Sequence, residues 1–335
     1  MDATSARGLV VHRYGDWRDI AVEPIEVAPP GPGEVLIEAE AAALNFPDAL
    51  MIAGKYQHKP VPPFCPGRDV AGRVAAIGPE VEGLAVGDRV AGQPQHGAFA
   101  TRVLVPQNAC IRIPDGLSTI DAAASGTVLA TAVAALGMRA RLQPGEFVLL
   151  TGAAGGVGLA AVQYAKLMGA RVGAIVSSAE KENAARASGA DVVIRTDAMT
   201  NLRDDLRQAV HAHSPKGADA VMDVVGGDLF DAVIRCLRPG GRCVVVGFAS
   251  GRIPTISTNY LLLKDLVLIG SSLTTLFRSG NAEFRTKLED GFRALAEGRI
   301  TIPIEHCYRM EEFGTAMARI VDRKAIGKIV LAPLQ

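Results

Sequence analysis

The chain has 335 residues, 49% of them hydrophobic, and 35 Lys+Arg balance 35 Asp+Glu. That length accommodates roughly two domains with a sizeable core, and zero net charge argues against a broad nucleic-acid footprint or an anionic membrane surface as partner. Cys65, Cys110, Cys236, Cys243 and Cys307 are scattered and never spaced Cys-x-x-Cys, which argues against a disulfide framework and a zinc knuckle.

Residues 1–15 lack the apolar core of a signal peptide. Two uncharged runs, 122–138 and 147–165, approach the roughly 20 residues that cross a bilayer. Four glycines interrupt the second, and the first is short and rich in Ala, Ser, Gly and Thr. Neither reads as a span, so the expectation is a soluble, cytoplasmic protein with no membrane partner.

Residues 1 to about 110 read as short strands between Gly/Pro turns. Gly8–His12, Glu34–Ala39, Val70–Gly78 and Gly87–Ala91 are the candidate strands, with one helix at Asn45–Ala53. This texture predicts a compact, partly open β-barrel. Asp121–Leu136 can be helical, and a regular βα alternation follows it. Strands are expected at Phe147–Leu150, Arg171–Val176, Asp191–Ile194, Asp219–Val224, Arg242–Val246 and Leu266–Ile269. Single helical stretches separate them, which is the pattern of a doubly wound parallel α/β sheet. The tail is expected to form a helix to Glu297, a strand at Ile300–Ile304 and a helix at Met310–Asp322, and to return to the first domain.

The first βα turn reads Thr151-Gly152-Ala153-Ala154-Gly155-Gly156-Val157-Gly158. Such a glycine turn lets the backbone approach a pyrophosphate, whose charge the following helix N-terminus holds. Ala153 stands where the first glycine of Gly-x-Gly-x-x-Gly would be, so the motif gains its weight from the six strands around it. The second strand of such a fold usually ends in an acidic residue, roughly 20 positions past the glycines, that binds the ribose 2′-hydroxyl. Here it ends in Ser177-Ser178 with Lys181 close behind. Hydroxyls and an ammonium bind a 2′-phosphate that a carboxylate would repel, which favours NADPH over NADH. Ser177-x-x-Glu180 is also a helix capping box. The two readings are compatible.

Asn45-Phe46-Pro47-Asp48 suits a helix N-terminus, with Asn45 as N-cap. A functional reading puts Asn45 and Asp48 beside the nicotinamide. A catalytic zinc needs three protein ligands. Cys65, His58 and His96 do not complete a set. There is no Gly-x-Ser-x-Gly elbow for nucleophilic hydrolysis and no Gly-Lys-Ser/Thr ending for a Walker loop.

These motifs, with Pro66-Gly67-Arg68-Asp69-Val70-Ala71-Gly72, Val86–Val90, Gly97–Ala100 and Gly327–Leu331, resemble the medium-chain dehydrogenase/reductase superfamily. The likeness is to its zinc-free quinone oxidoreductase (zeta-crystallin-like) branch. It implies a GroES-like substrate domain at 1–126, completed by 271–335, and a Rossmann dinucleotide-binding domain at 127–270, with the cofactor in the cleft between them. It also implies roles: Asn45 and Asp48 near the nicotinamide, a hydroxyl contact from Thr131, and the pyrophosphate on Gly155, Gly156 and Val157. Ser177 and Lys181 would hold the 2′-phosphate, while Gly247, Phe248 and Ala249 pass the nicotinamide and Lys328 approaches from the tail. Tyr56 is a candidate proton source or substrate contact, with simple packing as its alternative. The family's zinc enzymes carry a cysteine at Asn45 and Gly-His-Glu at Gly67-Arg68-Asp69, and Arg68-Asp69 also replaces the branch's more usual Gly/Ala-Glu.

The resulting expectation is an NADPH:quinone reductase that works without a metal. A quinone or α,β-unsaturated carbonyl accepts hydride without a Lewis acid because conjugation spreads the arriving charge. Enone, enal or enoyl-thioester reduction is the alternative chemistry. An NADPH-binding structural or RNA-binding role is the alternative of another class, against which the balanced charge weighs. Leu261–Leu263 and Leu266–Ile269 suggest a homodimer edge, or else a buried edge strand.

Overall fold

The computed structural model describes residues 4–332. An antiparallel pair, β1 (Thr4–Val10) and β2 (Ala21–Val27), opens the chain. Then come β3 (Glu34–Ala43), helix α1 (Phe46–Ile52), β4 (Asp69–Ile77), β5 (Arg89–Gly92), β6 (Arg102–Pro106) and β7 (Cys110–Arg112). Helix α2 (Thr119–Ala132) leads into β8 (Phe147–Thr151), α3 (Gly156–Leu167), β9 (Arg171–Val176), α4 (Ala179–Ala187) and β10 (Val192–Arg195). The alternation continues with α5 (Leu202–His213), β11 (Ala218–Asp223), α6 (Gly227–Val233), β12 (Leu237–Val245), α7 (Thr258–Lys264) and β13 (Val267–Gly270). Helices α8 (Leu273–Arg278) and α9 (Ala282–Ala296), strand β14 (Ile304–Tyr308), helix α10 (Phe313–Val321) and strand β15 (Lys328–Leu331) close it.

The chain forms two compact units. The first comprises the chain up to Thr127, Leu295–Glu297 and the chain from Ile302; the second comprises Val128–Ala294 and Gly298–Thr301. Residues 271–294, expected with the first domain, belong instead to the second unit, where Gly291 of α9 lies close against Leu129.

In the first unit seven strands form one sheet, ordered β14-β15-β3-β4-β5-β7 with β6 also on β3. Strand β3 pairs with β4, β6 and β15, and seven of its ten positions are buried, from Val35 to Ala43 apart from Glu38 and Glu40. Register brings three strand ends together: Val330 of β15 lies opposite Ala43 of β3, which lies opposite Asp69 of β4. The strand expected at 300–304 begins only at Ile304. Pro303 has no amide to donate to a ladder, and its carbonyl accepts from Lys328 N at 2.8 Å.

In the second unit six parallel strands run β10-β9-β8-β11-β12-β13, the doubly wound order. All five residues of β8 are buried, as continuous apolar strands covered on both faces must be. Helix α5 shows how the covering works: Leu206 and Val210, one turn apart, are buried, while Arg203, Asp204 and Arg207 face water. Phe147, Leu149, Ile175, Val221, Phe230 and Val233 fill the core beneath. Helix α2 is apolar all round and continues in wider turns to Arg139, where Ala140 N bonds to Ala135 O at 2.8 Å. The stretch 119–139 has the length and composition to cross a membrane, yet 83% of its apolar window is buried inside the protein, as in a core helix.

Candidate functional site

The glycine turn follows β8 at the carboxyl edge of the parallel sheet, at the switch point between β8 and β11. Gly152 takes φ +60°, a region side chains rarely enter. The tight turn that a first glycine serves thus falls one residue before Ala153. Gly158 has no room for a Cβ, which would lie 2.2 Å from Gly152 O. Gly155 differs: a Cβ there would meet nothing nearer than Gly152 O at 3.5 Å, so its outer side is open. As the N-cap of α3 it has no side chain to cap the helix. The first-turn amides after it, at Gly156 and Val157, lack intrahelical acceptors and can serve an anion.

Ala153 N bonds to Ile175 O at 3.3 Å and ties the turn to β9. The capping box expected at Ser177–Glu180 is absent: Ser178 is the N-cap of α4, and its Oγ accepts from Lys181 N at 3.3 Å. Starting one residue later leaves Ser177 exposed, its Oγ accepting from Lys181 Nζ at 3.1 Å. The two polar groups that sequence assigns to a 2′-phosphate are therefore adjacent, and no carboxylate follows Val176 before Glu180.

Asp223, which the sequence reading passed over, is fully buried beneath this edge. It accepts from Thr151 Oγ1 at 2.5 Å, Val225 N at 3.2 Å and Gly226 N at 2.9 Å. Burial raises its pKa, and those three bonds oppose the rise. Half-buried Gly247, Phe248 and Ala249 run beside the 223–226 loop, with Ala249 N on Val224 O at 3.1 Å and Ser250 N on Val225 O at 2.9 Å. Thr131 is buried on the part of α2 that belongs to the second unit. A pocket of about 700 Å³ in that unit lies instead against the starts of α5 and α7 and along α6, between Asn201, Arg235 and Tyr260. None of the expected site residues lines it.

In the first unit the three strand ends place Asn45, Asp48, Asp69 and Lys328 in one buried cluster, none more than 8% exposed. Asn45 occupies the N-cap position of α1, but its side chain turns to the cluster: Nδ2 donates to Asp69 Oδ2 at 2.8 Å, and Oδ1 accepts from Lys328 Nζ at 2.7 Å. Lys328 Nζ also donates to Leu44 O at 2.8 Å and lies 3.5 Å from Asp69 Oδ2. Asp69 Oδ1 accepts from Thr127 N at 2.8 Å and Thr127 Oγ1 at 2.7 Å. Asp48 Oδ2 accepts from Asn45 N at 2.7 Å, while Oδ1 is enclosed without a partner. Burial pushes the Asp48 carboxyl up to about 7, helped by the Asp69 charge and opposed by the Asn45 amide. Burial also lowers Lys328, against the pull of Asp69 and Asp48.

Tyr56 lies beyond α1, half-buried, and its hydroxyl accepts from Arg68 Nη1 at 2.9 Å. Cys65 donates its thiol to Pro66 O and Gly97 O, and burial pushes it up to about 12. His58 Nε2 and His96 Nδ1 are 3.1 Å apart. Among the described residues no three His, Cys, Asp or Glu side chains are grouped so as to hold a metal ion.

Residues 31–115 match the alcohol dehydrogenase GroES-like domain, and residues 156–290 match the zinc-binding dehydrogenase family. A quinone oxidoreductase-like protein 2 homolog from Nematostella vectensis is 35% identical over 90% of this chain and 82% of its own length. The chain belongs to the quinone oxidoreductase branch of the medium-chain dehydrogenase/reductase superfamily. Within that branch, the solved structure of Escherichia coli quinone oxidoreductase complexed with NADPH has a TM-score of 0.87 at 27% identity, covering 98% of this chain and 100% of that one. A 2-haloacrylate reductase from Burkholderia is 31% identical over 97% of this chain and 98% of its own length. The medium-chain reductase architecture thus assigns the seven-stranded unit as GroES-like and the parallel sheet as Rossmann-like.

Proposed function

We propose that this oxidoreductase uses NADPH to reduce a quinone and needs no metal to do so. The observation that carries the reading is the Ser177–Lys181 pair at the end of β9. A hydroxyl and an ammonium there suit a 2′-phosphate, and no acid stands at the strand end to repel it. The open side of Gly155 and the uncapped first turn of α3 suit a pyrophosphate. NADPH, when bound, supplies a hydride. Relatives named as quinone oxidoreductases support the acceptor class, as does the NADPH complex of the Escherichia coli enzyme.

On the acceptor side, the Lys328 and Asp69 contacts hold the Asn45 side chain in one orientation, which gives a pre-set amide with no reorganisation at the moment of reaction. Tyr56 offers a hydroxyl whose lone pair already accepts from Arg68, leaving its proton to donate to an acceptor oxygen. A second reading, reduction of an electron-poor alkene, is favoured by the 2-haloacrylate reductase relative. Homodimerisation is part of the proposal: β13 is a sheet edge, and Leu262, Leu263 and Val267 are 81%, 76% and 52% exposed beside it. So is a cytoplasmic setting, which suits five free thiols.

The test is a stopped assay of NADPH and NADH oxidation with quinones, enals and enoyl thioesters, run with and without chelator. The reading expects NADPH preference, quinone turnover and indifference to chelator. NADH preference, or activity lost on chelation, overturns the corresponding part.

A further inference from the structure

Arg68 is a charge in the first unit that the cluster leaves without a counter-ion. Its Nη1 donates to Tyr56 Oη at 2.9 Å, and its guanidinium carbon lies 5.7 Å from the Tyr56 ring centroid. Nε is enclosed with no acceptor. No carboxylate lies in ion-pair range among the described residues, and Asp69, its sequence neighbour, is already matched to Lys328 at 3.5 Å. Asp48, the other nearby acid, feels the Arg68 charge but makes no ion pair with it, and burial raises its carboxyl to about 7. A half-buried guanidinium whose hydrogen-bond partner is a phenol, with Nε unpartnered, is under-satisfied, since buried charge is stable when paired and hydrogen-bonded. Its planar fork is shaped for two oxygens of an oxyanion.

We propose that Arg68, braced by Tyr56, is a specificity-determining anion-recognition group and that the preferred acceptor carries a carboxylate or sulfonate next to its electron-poor π system. This rests on the reductase reading for the word acceptor, but the anion site itself does not. The bracing matters because a fixed guanidinium loses little side-chain freedom on binding. Tyr56 then positions Arg68 in addition to offering its own hydroxyl proton.

The test compares 1,4-naphthoquinone with 1,4-naphthoquinone-2-sulfonate as NADPH oxidants, corrected for their uncatalysed rates. Wild type and Arg68→Met, Arg68→Lys and Tyr56→Phe are assayed alongside. The ratio of kcat/KM, sulfonated over neutral, is expected to fall about 10- to 100-fold in Arg68→Met, the range of a charge-assisted hydrogen bond. The loss should appear mostly in KM. Arg68→Lys should recover part of it and keeps the comparison open if the methionine variant fails to fold. Tyr56→Phe should give a smaller fall of the same ratio.

In parallel, calorimetric titration with naphthalene-2-sulfonate, which accepts no hydride, is expected to show binding weakened at least about 10-fold in Arg68→Met. Equal losses for both quinones, or equal sulfonate binding by wild type and variant, overturn the proposal. Arg68-dependent sulfonate binding in a protein that reduces no quinone or alkene would end the reductase reading and leave the anion site standing.

Discussion

Replacing Asp69 with asparagine keeps volume and shape but reverses one edge of the group. The amide oxygen can still accept from Thr127, while the new NH2 faces Asn45 Nδ2 and Lys328 Nζ, both donors. Lys328 is 3% exposed and loses the one carboxylate that pairs with it within 4 Å among the described residues. Breaking a buried pair in this way costs about 3–5 kcal/mol. An independent ceiling comes from the alternative open to the lysine, which is to lose its proton. From an ordinary value of 10.5, that costs about 5 kcal/mol at pH 7. The two routes agree, so Asp69→Asn should lower stability by about 3–5 kcal/mol at pH 7.

The sign of the pH dependence follows. Lys328 in the variant is depressed below its unfolded value, so between the two values the unfolded chain holds the extra proton and stability rises with pH. The wild-type Lys328 is lowered as well, but less, because Asp69 opposes burial, so the deficit should shrink as pH rises through the interval between the two folded values. Urea unfolding followed by the fluorescence of Trp17, the only tryptophan in the chain, reports on the first unit, where that residue lies. A loss below about 1 kcal/mol at pH 7, or a deficit that stays constant to pH 9, refutes the cluster energetics.

Asp48→Asn should remove a pH dependence. The wild-type carboxyl is raised from 3.8 to about 7, so its contribution is full below the unfolded value and is lost as pH climbs through the folded one. Across pH 4 to 8 the wild type should lose up to about 4 kcal/mol relative to the variant, read by the same urea titration. Gly158→Ala forces a Cβ to 2.2 Å from Gly152 O and should cost about 1–3 kcal/mol, with at least tenfold weaker NADPH binding by calorimetry. Lys181→Ala should lower kcat/KM for NADPH about tenfold and leave NADH within about threefold, because only the 2′-phosphate contact is removed. Leu263→Glu with Val267→Lys should convert the expected dimer to monomer by light scattering; a wild-type monomer would end that part of the proposal.

The parallel sheet was legible because most of its strands carry a short apolar run with one helix between it and the next, although β12 opens with Leu237-Arg238-Pro239-Gly240-Gly241-Arg242. Arg171–Val176 falls where the sequence places it, with one helix following as the alternation requires. The first unit was less so. Strand β2 carries Pro24, and β7 is three residues long, so neither shows a clear alternation. The site divides the same way. Ser177 and Lys181 are four residues apart and readable as a pair. Asp69 stood out only as a departure, because its partners come from a helix start, from Thr127 and from Lys328, 259 positions on, and meet only once β15, β3 and β4 are in register. Whether Ser177 or Ser178 caps α4 depends on where the strand stops, which a run of two serines does not disclose.

Lys328 also sets an order of events. Its bonds to Leu44 and Asn45 close across 284 and 283 residues. At synthesis rates of about 5–20 residues per second, Asn45 and Asp69 wait roughly 15–60 s for their cation. The parallel sheet, encoded between them, has all its strands before the last one leaves the ribosome. The nucleotide unit can therefore mature first, while Asn45 and Asp69 still lack the strand that brings them Lys328.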